Sequence, residues 1–247
     1  MNGARSYMQR GTRFCTTSRD LWVEYAKLEM IYLAKIALRR KILGLDVEKP
    51  IVEEKEEAAD KMETDDDHGF ATSEDVIAIP AFKENTLRPS MIEGVEVDSE
   101  AKKDPMTTPA LNGAIPLAIF DAAMKQPFFC AAAAEAFFDM FATFTQVRCL
   151  PRILQHVLDC LMELYPKDAL TWNCYVRQSF IGVDVSSPDF PIALGTALDR
   201  LKEAKEKTKD RDMLSKKTRE WIEPILEVQN IDPGIQTVLT HTLRKLE

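Results

Sequence analysis

The sequence contains little glycine, few histidines and no closely paired cysteines. Only 9 of its 247 residues are glycine, which argues against a glycine-rich phosphate loop and against a fold built from many tight turns. The three histidines lie far apart, and none has a second histidine four residues away, so we expect no metal site and no cofactor. The five cysteines form no C-x-x-C pair and several lie among apolar residues, which predicts free thiols rather than disulfides or zinc ligands.

Long apolar runs are also missing. No uninterrupted apolar stretch approaches the roughly 20 residues that span a bilayer, and the N-terminus has no apolar run of signal-peptide length. The apolar-rich stretch PFFCAAAAEAFFDMFATF contains Glu135 and Asp139 and therefore predicts a buried amphipathic helix. We expect a soluble, intracellular protein without a membrane partner. The net charge of −8 and the pI of about 5.1 argue against a protein that binds nucleic acid with its whole surface.

Charge divides the chain into three zones. Residues 1–49 contain 10 basic and 5 acidic residues, a net charge of +5, whereas residues 50–112 contain 6 basic and 17 acidic residues, a net charge of −11. The low hydrophobicity and strong charge of the middle zone prevent enough burial to offset the entropy of the chain. We therefore predict helices over residues 1–45, a disordered acidic insert over residues 46–112, and further helices over residues 113–247.

Apolar residues in the two flanking zones repeat with the period of an α-helix, and no stretch alternates as a strand does. A long helix is predicted from about Ser18 to Leu43, with Ser18 or Asp20 as its cap and Gly44 as its stop. Other predicted boundaries are a short helix over about Ala4–Phe14, stops at Pro127 and Pro166, starts at Asp168 and Asp232–Pro233, an end near Gly182 and a kink at Pro224. The sequence thus predicts an all-α fold of antiparallel helix pairs joined by short turns.

Two segments of the chain resemble each other. TTSRDLWVEYAKLE begins six residues before Trp22, and PKDALTWNCYVRQS begins with Pro166, six residues before Trp172. In each segment a tyrosine follows the tryptophan by three residues, at Tyr25 and Tyr175. Self-similarity within helix pairs is typical of a helical solenoid, in which each unit packs on its neighbours.

Glu29 lies four residues after Tyr25, on the same helix face as Trp22. Two large rings on one face fill the groove of a partner helix, and a carboxylate there can hold a hydrogen bond between neighbouring repeats. General acid–base catalysis needs two titratable groups converging on a cleft, and this cluster has one carboxylate and no histidine nearby. We therefore interpret the three residues as packing residues and predict no enzyme and no small-molecule substrate.

The pattern W-x-x-Y-x-x-x-E at the start of a helix, with proline six residues before the tryptophan, resembles the half-a-TPR repeat of RNA-processing factors. RGTRFCTTSRDLWVEYAKLEMIYLAKIALRRKILGLD, IPLAIFDAAMKQPFF and EAFFDMFATF are similar to half-a-TPR subunits of the small-subunit processome. The resemblance implies an α-solenoid fold. It also implies a scaffold role in the nucleus, in the nucleolar processing of 18S ribosomal RNA. It implies other processome subunits as partners, including β-propeller proteins. It also implies U3 small nucleolar RNA or the precursor of 18S rRNA as a partner, bound directly or through other subunits.

Several positions depart from the family pattern. Thr16 replaces the proline, Ser179 replaces the glutamate, and Ala133 stands at a tryptophan position for which Phe137 is the expected substitute. Family members also extend further at the N-terminus, so the resemblance implies that this chain starts inside a repeat. The residues predicted to pack the repeats are Trp22, Tyr25, Glu29, Pro166, Trp172, Tyr175 and Trp221.

Two questions stay open from the sequence. Lys35, Arg39, Arg40 and Lys41 either contact RNA phosphates or a protein partner, or form a solvated helix end where cations are favourable. The chain is either a processome scaffold or a TPR-like adaptor that binds a peptide in another RNA-processing complex. The adaptor requires a clamp of Lys, Arg and Asn on inner helix faces, and the sequence alone reveals none.

Overall fold

A computed structural model describes residues 2–43, 111–228 and 231–246. These residues form α-helices and contain no strand, so the all-α prediction is confirmed for them. The predicted insert lies outside the described residues, except for Leu111 and Asn112, and so does the predicted stop at Gly44. The helices are α1 (Asn2–Phe14), α2 (Arg19–Ile42), α3 (Ala114–Met124), α4 (Ala131–Ala142), α5 (Leu150–Leu164), α6 (Ala169–Arg177), α7 (Phe190–Lys207), α8 (Arg211–Leu226) and α9 (Pro233–Arg244).

Aspartates begin three of these helices by satisfying backbone N–H groups that the first turn leaves free. The Asp168 carboxylate accepts a hydrogen bond from Leu170 N at 2.8 Å, and Asp232 accepts one from Gly234 N at 2.7 Å. Both predicted starts are therefore confirmed. Ser18 stands at the N-cap of α2 without a side-chain hydrogen bond to the helix.

One predicted boundary differs from the structure. The helix that follows Asp168 ends at Arg177, and turns lead from there to Gly182, which has a φ of 82°. The Ser179 hydroxyl donates to the Val176 carbonyl at 2.8 Å, a local bond that competes with helical hydrogen bonding. Helix α8 includes Pro224 and ends two residues later, and the kink predicted there stays a prediction.

The helices pack in a regular order along the chain. Each of α3, α5, α7 and α9 contacts the helix that precedes it, namely α2, α4, α6 and α8. The helices α2, α4, α6 and α8 also contact one another in that sequence, and α3 contacts α5. In addition, α1 packs on α2 and α5 packs on α6.

The buried apolar residues form two clusters. The first lies among α2–α5 and is rich in phenylalanine, with Phe120, Phe137 and Phe141 fully buried. The second lies among α6–α9 and includes Trp172 and Ile222. Helix α6 contributes to both clusters and thereby joins them. Among the described helices, none combines the length and the apolar character that crossing a bilayer requires.

Candidate functional site

Trp172 is held by the residue that lies six positions before it in the sequence. The indole is buried, and its Nε1–H donates to the Pro166 carbonyl at 3.0 Å. The proline itself is exposed, so its carbonyl, rather than its ring, holds the tryptophan. Half-buried Tyr175 completes the pair, edge-on to the indole with ring centroids 5.7 Å apart. This hydrogen bond fixes the start of α6 against the loop before it.

Trp22 occupies the same position in α2 with a different polar environment. Its ring is buried and lies against Phe128, with centroids 6.3 Å apart, and Tyr25 is buried beside it. The indole Nε1–H is buried without a hydrogen-bond partner. The backbone of Thr16 therefore does not accept the bond that Pro166 accepts in the second segment.

Glu29 binds an arginine on the preceding helix. Both of its carboxylate oxygens accept from the Arg5 guanidinium, Oε1 from Nε and Oε2 from Nη2, each at 2.6 Å. The carboxylate is almost fully buried, and the guanidinium also lies over the Tyr32 ring, 5.5 Å from its centroid. A bidentate charged pair of this kind ties α1 to α2 and leaves the carboxylate occupied.

Trp221 is buried as predicted but holds another place in its helix. Trp172 follows the N-cap of its helix by four residues, whereas Trp221 follows Asp210, the N-cap of α8, by eleven. Fully buried Leu214 stands four residues after Asp210, at the tryptophan position. The Trp221 ring instead packs on Phe180, with centroids 5.0 Å apart. It is a packing residue of the second cluster outside the W-x-x-Y register.

The same count from the N-cap places Phe137 at the tyrosine position of its helix. Helix α4 has Cys130 at its N-cap, so Ala134 holds the tryptophan position and Phe137 the tyrosine position. Ala133, which the proline spacing indicated, lies one residue earlier, and all three side chains are buried. Phe137 meets Phe120 edge-on, with centroids 5.4 Å apart. Phe137 thus fills the place of a tyrosine rather than that of a tryptophan.

The four basic residues near the end of α2 do not form one surface. Lys35 and Lys41 are exposed, Arg39 is half-buried, and Arg40 is buried. Arg40 lines a cleft between the C-terminal half of α2 and the turn before α5. The two lysines and part of Arg39 are therefore on the outer surface, whereas Arg40 lies in the cleft.

The structure brings together a polar chain that sequence reasoning missed. It joins three helices, because Glu135 on α4 contacts both Asn173 on α6 and Lys217 on α8. Asn173 Nδ2 donates to Glu135 Oε1 at 3.2 Å, and Lys217 Nζ lies 3.3 Å from Glu135 Oε2. One helix turn away, Arg177 Nη1 bonds Asp139 Oδ1 at 2.7 Å. Glu135 and Asp139 carried the only local signal, as charges within an apolar segment.

Burial and charge act in opposite directions within this chain. Burial raises the pKa of the Glu135 carboxyl, and Lys217 and Asn173 only partly offset that effect. Burial lowers the pKa of the Lys217 ammonium, but Glu135 and Glu220 outweigh burial and raise it above its ordinary value. The two results agree, because Glu135 is the more deeply buried partner and therefore has the larger desolvation cost.

A histidine, an aspartate and a cysteine also meet, between α3 and α5. His156 Nε2 lies 2.7 Å from Asp121 Oδ1 and 3.9 Å from Cys160 Sγ. A nucleophilic triad needs the acid on one ring nitrogen and the nucleophile on the other, whereas here both meet Nε2. Burial, followed by Asp121 and Glu163, raises the pKa of the Cys160 thiol, which disfavours the reactive thiolate. The contact thus has neither the geometry nor the electrostatics of an activated cysteine.

The polar groups described above tie helices together. Within the part of the chain that the structure describes, no group of three or more potential ligand residues is placed to hold a metal ion.

No protein-family model matches the chain, and no curated protein matches its sequence.

Proposed function

We propose that the chain is a non-catalytic scaffold, an α-solenoid of half-a-TPR helix pairs with a disordered acidic insert. The observation that carries the proposal is the order of helix contacts. The helices α2, α4, α6 and α8 contact in sequence, and each is paired with the helix that follows it. Stacked helical hairpins produce such a pattern, because each repeat contacts its neighbours along the array.

The use of the polar side chains favours a scaffold over an enzyme. Arg5 occupies Glu29, while Asn173 and Lys217 occupy Glu135. A general acid or base needs an oxygen that is free to exchange a proton with a substrate. The oxygens of these carboxylates instead bond side chains of neighbouring helices. An extended surface with little enclosed volume suits holding partners rather than shielding a reaction from water.

The proposed particle is the small-subunit processome, which processes 18S ribosomal RNA. This part rests on the resemblance of residues 10–46, 115–129 and 135–144 to U3 small nucleolar RNA-associated protein 6, a half-a-TPR subunit of that particle. The proposed partners are other processome subunits, including β-propeller proteins, with U3 RNA or the precursor of 18S rRNA bound directly or through them. The proposed location is the nucleolus, and the proposal requires no cofactor.

The peptide-adaptor alternative has one observation in its favour and one against it. The fold places Asn173, Arg177 and Lys217 on neighbouring helices, and these are the residue types of a carboxylate clamp. However, Glu135 engages Asn173 and Lys217, and Asp139 engages Arg177. A ligand carboxylate would have to displace side chains that already neutralise the cations. The scaffold is therefore the better supported function.

The experiment is affinity purification of the tagged chain from its own cells, with the bound proteins and RNAs identified. We expect recovery of U3 RNA and nucleolar β-propeller proteins. Treatment with ribonuclease before elution separates partners held by protein contacts from those held through RNA. Recovery of another RNA-processing complex without U3 RNA would support the adaptor and contradict the processome assignment. Tag alone, expressed at the same level, is the control.

A further inference from the structure

Helix α1 exposes two aromatic rings with an arginine between them. The α1 stripe consists of Gly3, Tyr7, Arg10 and Phe14, which lie on one side of the helix because they recur every three or four residues. The Tyr7 and Phe14 side chains are 76% and 85% exposed. Burying a ring of this size stabilises a protein or a complex by about 2 kcal/mol, so a partner that covers both rings gains that stabilisation. The exposure marks α1 as a candidate contact surface.

The charge of α1 has a single sign. Its sequence, NGARSYMQRGTRF, contains three arginines and no acidic residue. Arg5 is committed to Glu29, whereas Arg10 and Arg13 are exposed near the two rings. Met8, on the other side of the helix, packs against the first core cluster. The helix is therefore fixed by its inner face and presents cations and rings on its outer face.

We propose that the α1 stripe binds single-stranded nucleic acid. Aromatic side chains stack on bases without regard to sequence, and arginines neutralise the backbone phosphates. Tyr7 and Phe14 are seven residues apart, which is about 10 Å along a helix axis. That distance corresponds to about three nucleotides at the spacing of stacked bases, with Arg10 between the two rings. The stripe would give the proposed scaffold a direct RNA contact, but binding by the isolated chain does not rest on that function.

The observations favour nucleic acid over a partner helix. A seam between two helices is built from interdigitating apolar side chains, most often Leu, Ile and Val. Helix α1 contains none of these three residues, and the centre of its stripe is the charged Arg10. The absence of acidic residues from α1 also removes the repulsion that a phosphate backbone would meet there.

The test is a titration of the full-length chain with a fluorescein-labelled oligouridylate of about twelve nucleotides, followed by fluorescence anisotropy at several salt concentrations. The double substitution Tyr7→Ala, Phe14→Ala is expected to weaken binding about tenfold for each ring lost. Arg10→Gln is expected to lower the slope of log K against log salt by about 0.7, the value for one phosphate contact on a single strand. The ring variants should leave that slope unchanged.

Matched controls exist elsewhere on the surface. Ile192→Ala on α7 removes an equally exposed apolar side chain, and Lys216→Gln on α8 removes an exposed cation. Both should bind as the wild type does. Photocrosslinking with 4-thiouridine in the oligonucleotide should label residues between Gly3 and Phe14.

Three outcomes would overturn the proposal. They are an absence of binding at about 50 mM salt, equal losses in the control variants, and crosslinks confined to other helices. Concentration-dependent dimerisation that the Tyr7→Ala, Phe14→Ala variant abolishes would instead make the stripe an interface between copies. Binding that persists while the purified complex lacks U3 RNA would remove the processome assignment and leave the stripe intact.

Discussion

At the scale of single residues, the two W-x-x-Y segments differ in one hydrogen bond. Trp172 and Trp22 are both buried and both stand four residues after an N-cap. The Trp172 indole bonds the Pro166 carbonyl, whereas the Trp22 indole N–H is buried without a partner. A buried unpaired donor costs free energy, while a paired one contributes about 1 kcal/mol. The tryptophan of the second segment therefore gains a hydrogen bond, whereas that of the first leaves a donor unpaired.

Replacing each tryptophan with phenylalanine isolates this difference. Trp172→Phe loses ring volume and the bond to Pro166, whereas Trp22→Phe loses a similar volume together with an unpaired donor. We expect Trp172→Phe to reduce the free energy of unfolding by about 1 kcal/mol more than Trp22→Phe does. Urea titrations followed by helical circular dichroism measure both values. Equal losses, or a larger loss at Trp22, would contradict the role assigned to the bond.

Trp22→Ala removes the whole buried ring. We expect a loss of several kcal/mol, about 3–5 kcal/mol in the range known for buried large aromatics. Thermal melting measures the effect, with Ile42→Ala on the same helix as the control because Ile42 is 75% exposed. A melting temperature like that of the wild type would show that Trp22 does not hold α2 in place.

At the scale of helices, two glycines with left-handed backbone lie at helix boundaries. Gly113, the N-cap of α3, has a φ of 83°, and Gly182, after α6, has a φ of 82°. A Cβ at Gly113 would lie 2.8 Å from Cys149 Sγ and 2.9 Å from Ile153 Cδ1, whereas one at Gly182 would lie no closer than 3.6 Å to Thr145. The two positions share the backbone strain and differ only in the space around them.

Alanine at each position separates strain from overlap. We expect Gly182→Ala to reduce the free energy of unfolding by about 1–2 kcal/mol, the cost of left-handed backbone for a residue with a Cβ. Gly113→Ala should cost clearly more, since fully buried Ile153 must also move. Denaturant midpoints of the two variants provide the comparison. Similar midpoints would mean that the α3–α5 contact adapts without cost.

The polar chain across α4, α6 and α8 makes stability depend on pH. Because burial raises the pKa of Glu135 above its ordinary value of 4.5, the ionised carboxylate is less favourable in the folded protein than in the unfolded chain. The stabilisation by the protonated form is present below pH 4.5 and is lost as the pH rises through the raised pKa. Asp139 and Lys217, which face Glu135, contribute to this shift in opposite directions.

Glu135→Gln should remove this dependence. The amide cannot ionise, and it keeps an oxygen that accepts the hydrogen bond from Asn173. We expect the wild type to lose stability relative to the variant as the pH rises from 4.5 through the raised pKa, as measured by urea unfolding at a series of pH values. A wild type that gains stability relative to the variant over that interval would show that Lys217 outweighs burial.

Helix starts that depend on residues close in sequence could be predicted. Contacts between helices that are far apart in sequence could not. Asp168 and Asp232 act on backbone N–H groups within three residues, so the sequence alone places those helix starts. The end of α6 differs from the prediction, because a serine such as Ser179 competes with helical hydrogen bonding without excluding a longer helix. Asn173 meets Glu135 across 38 residues of sequence, and such a contact depends on how the helices stack.

At the scale of the whole molecule, the acidic segment connects two helices that pack on each other. Helix α2 ends at Ile42, α3 begins at Ala114, and the two are in contact. Both helices contribute residues to the first core cluster, including Trp22 and Phe120. The core around the two helices thus forms among residues on either side of the segment. The predicted disorder of the segment lies outside the described residues and stays a prediction.

Deleting residues 50–110 tests that prediction. Since the described core residues are retained and loop closure costs little more for long connections than for short ones, we expect the shortened chain to fold. The far-ultraviolet circular dichroism per molecule should be nearly unchanged, and the signal per residue should rise, because the lost residues contribute no helix. Fluorescence of buried Trp22 reports whether α2 keeps its place against Phe128. A large loss of helical signal per molecule would show that residues 50–110 fold or that the helices need them. A retained signal would show that the hydrogen bonds and ion pairs between helices, together with the two core clusters, hold the helices together without the acidic segment.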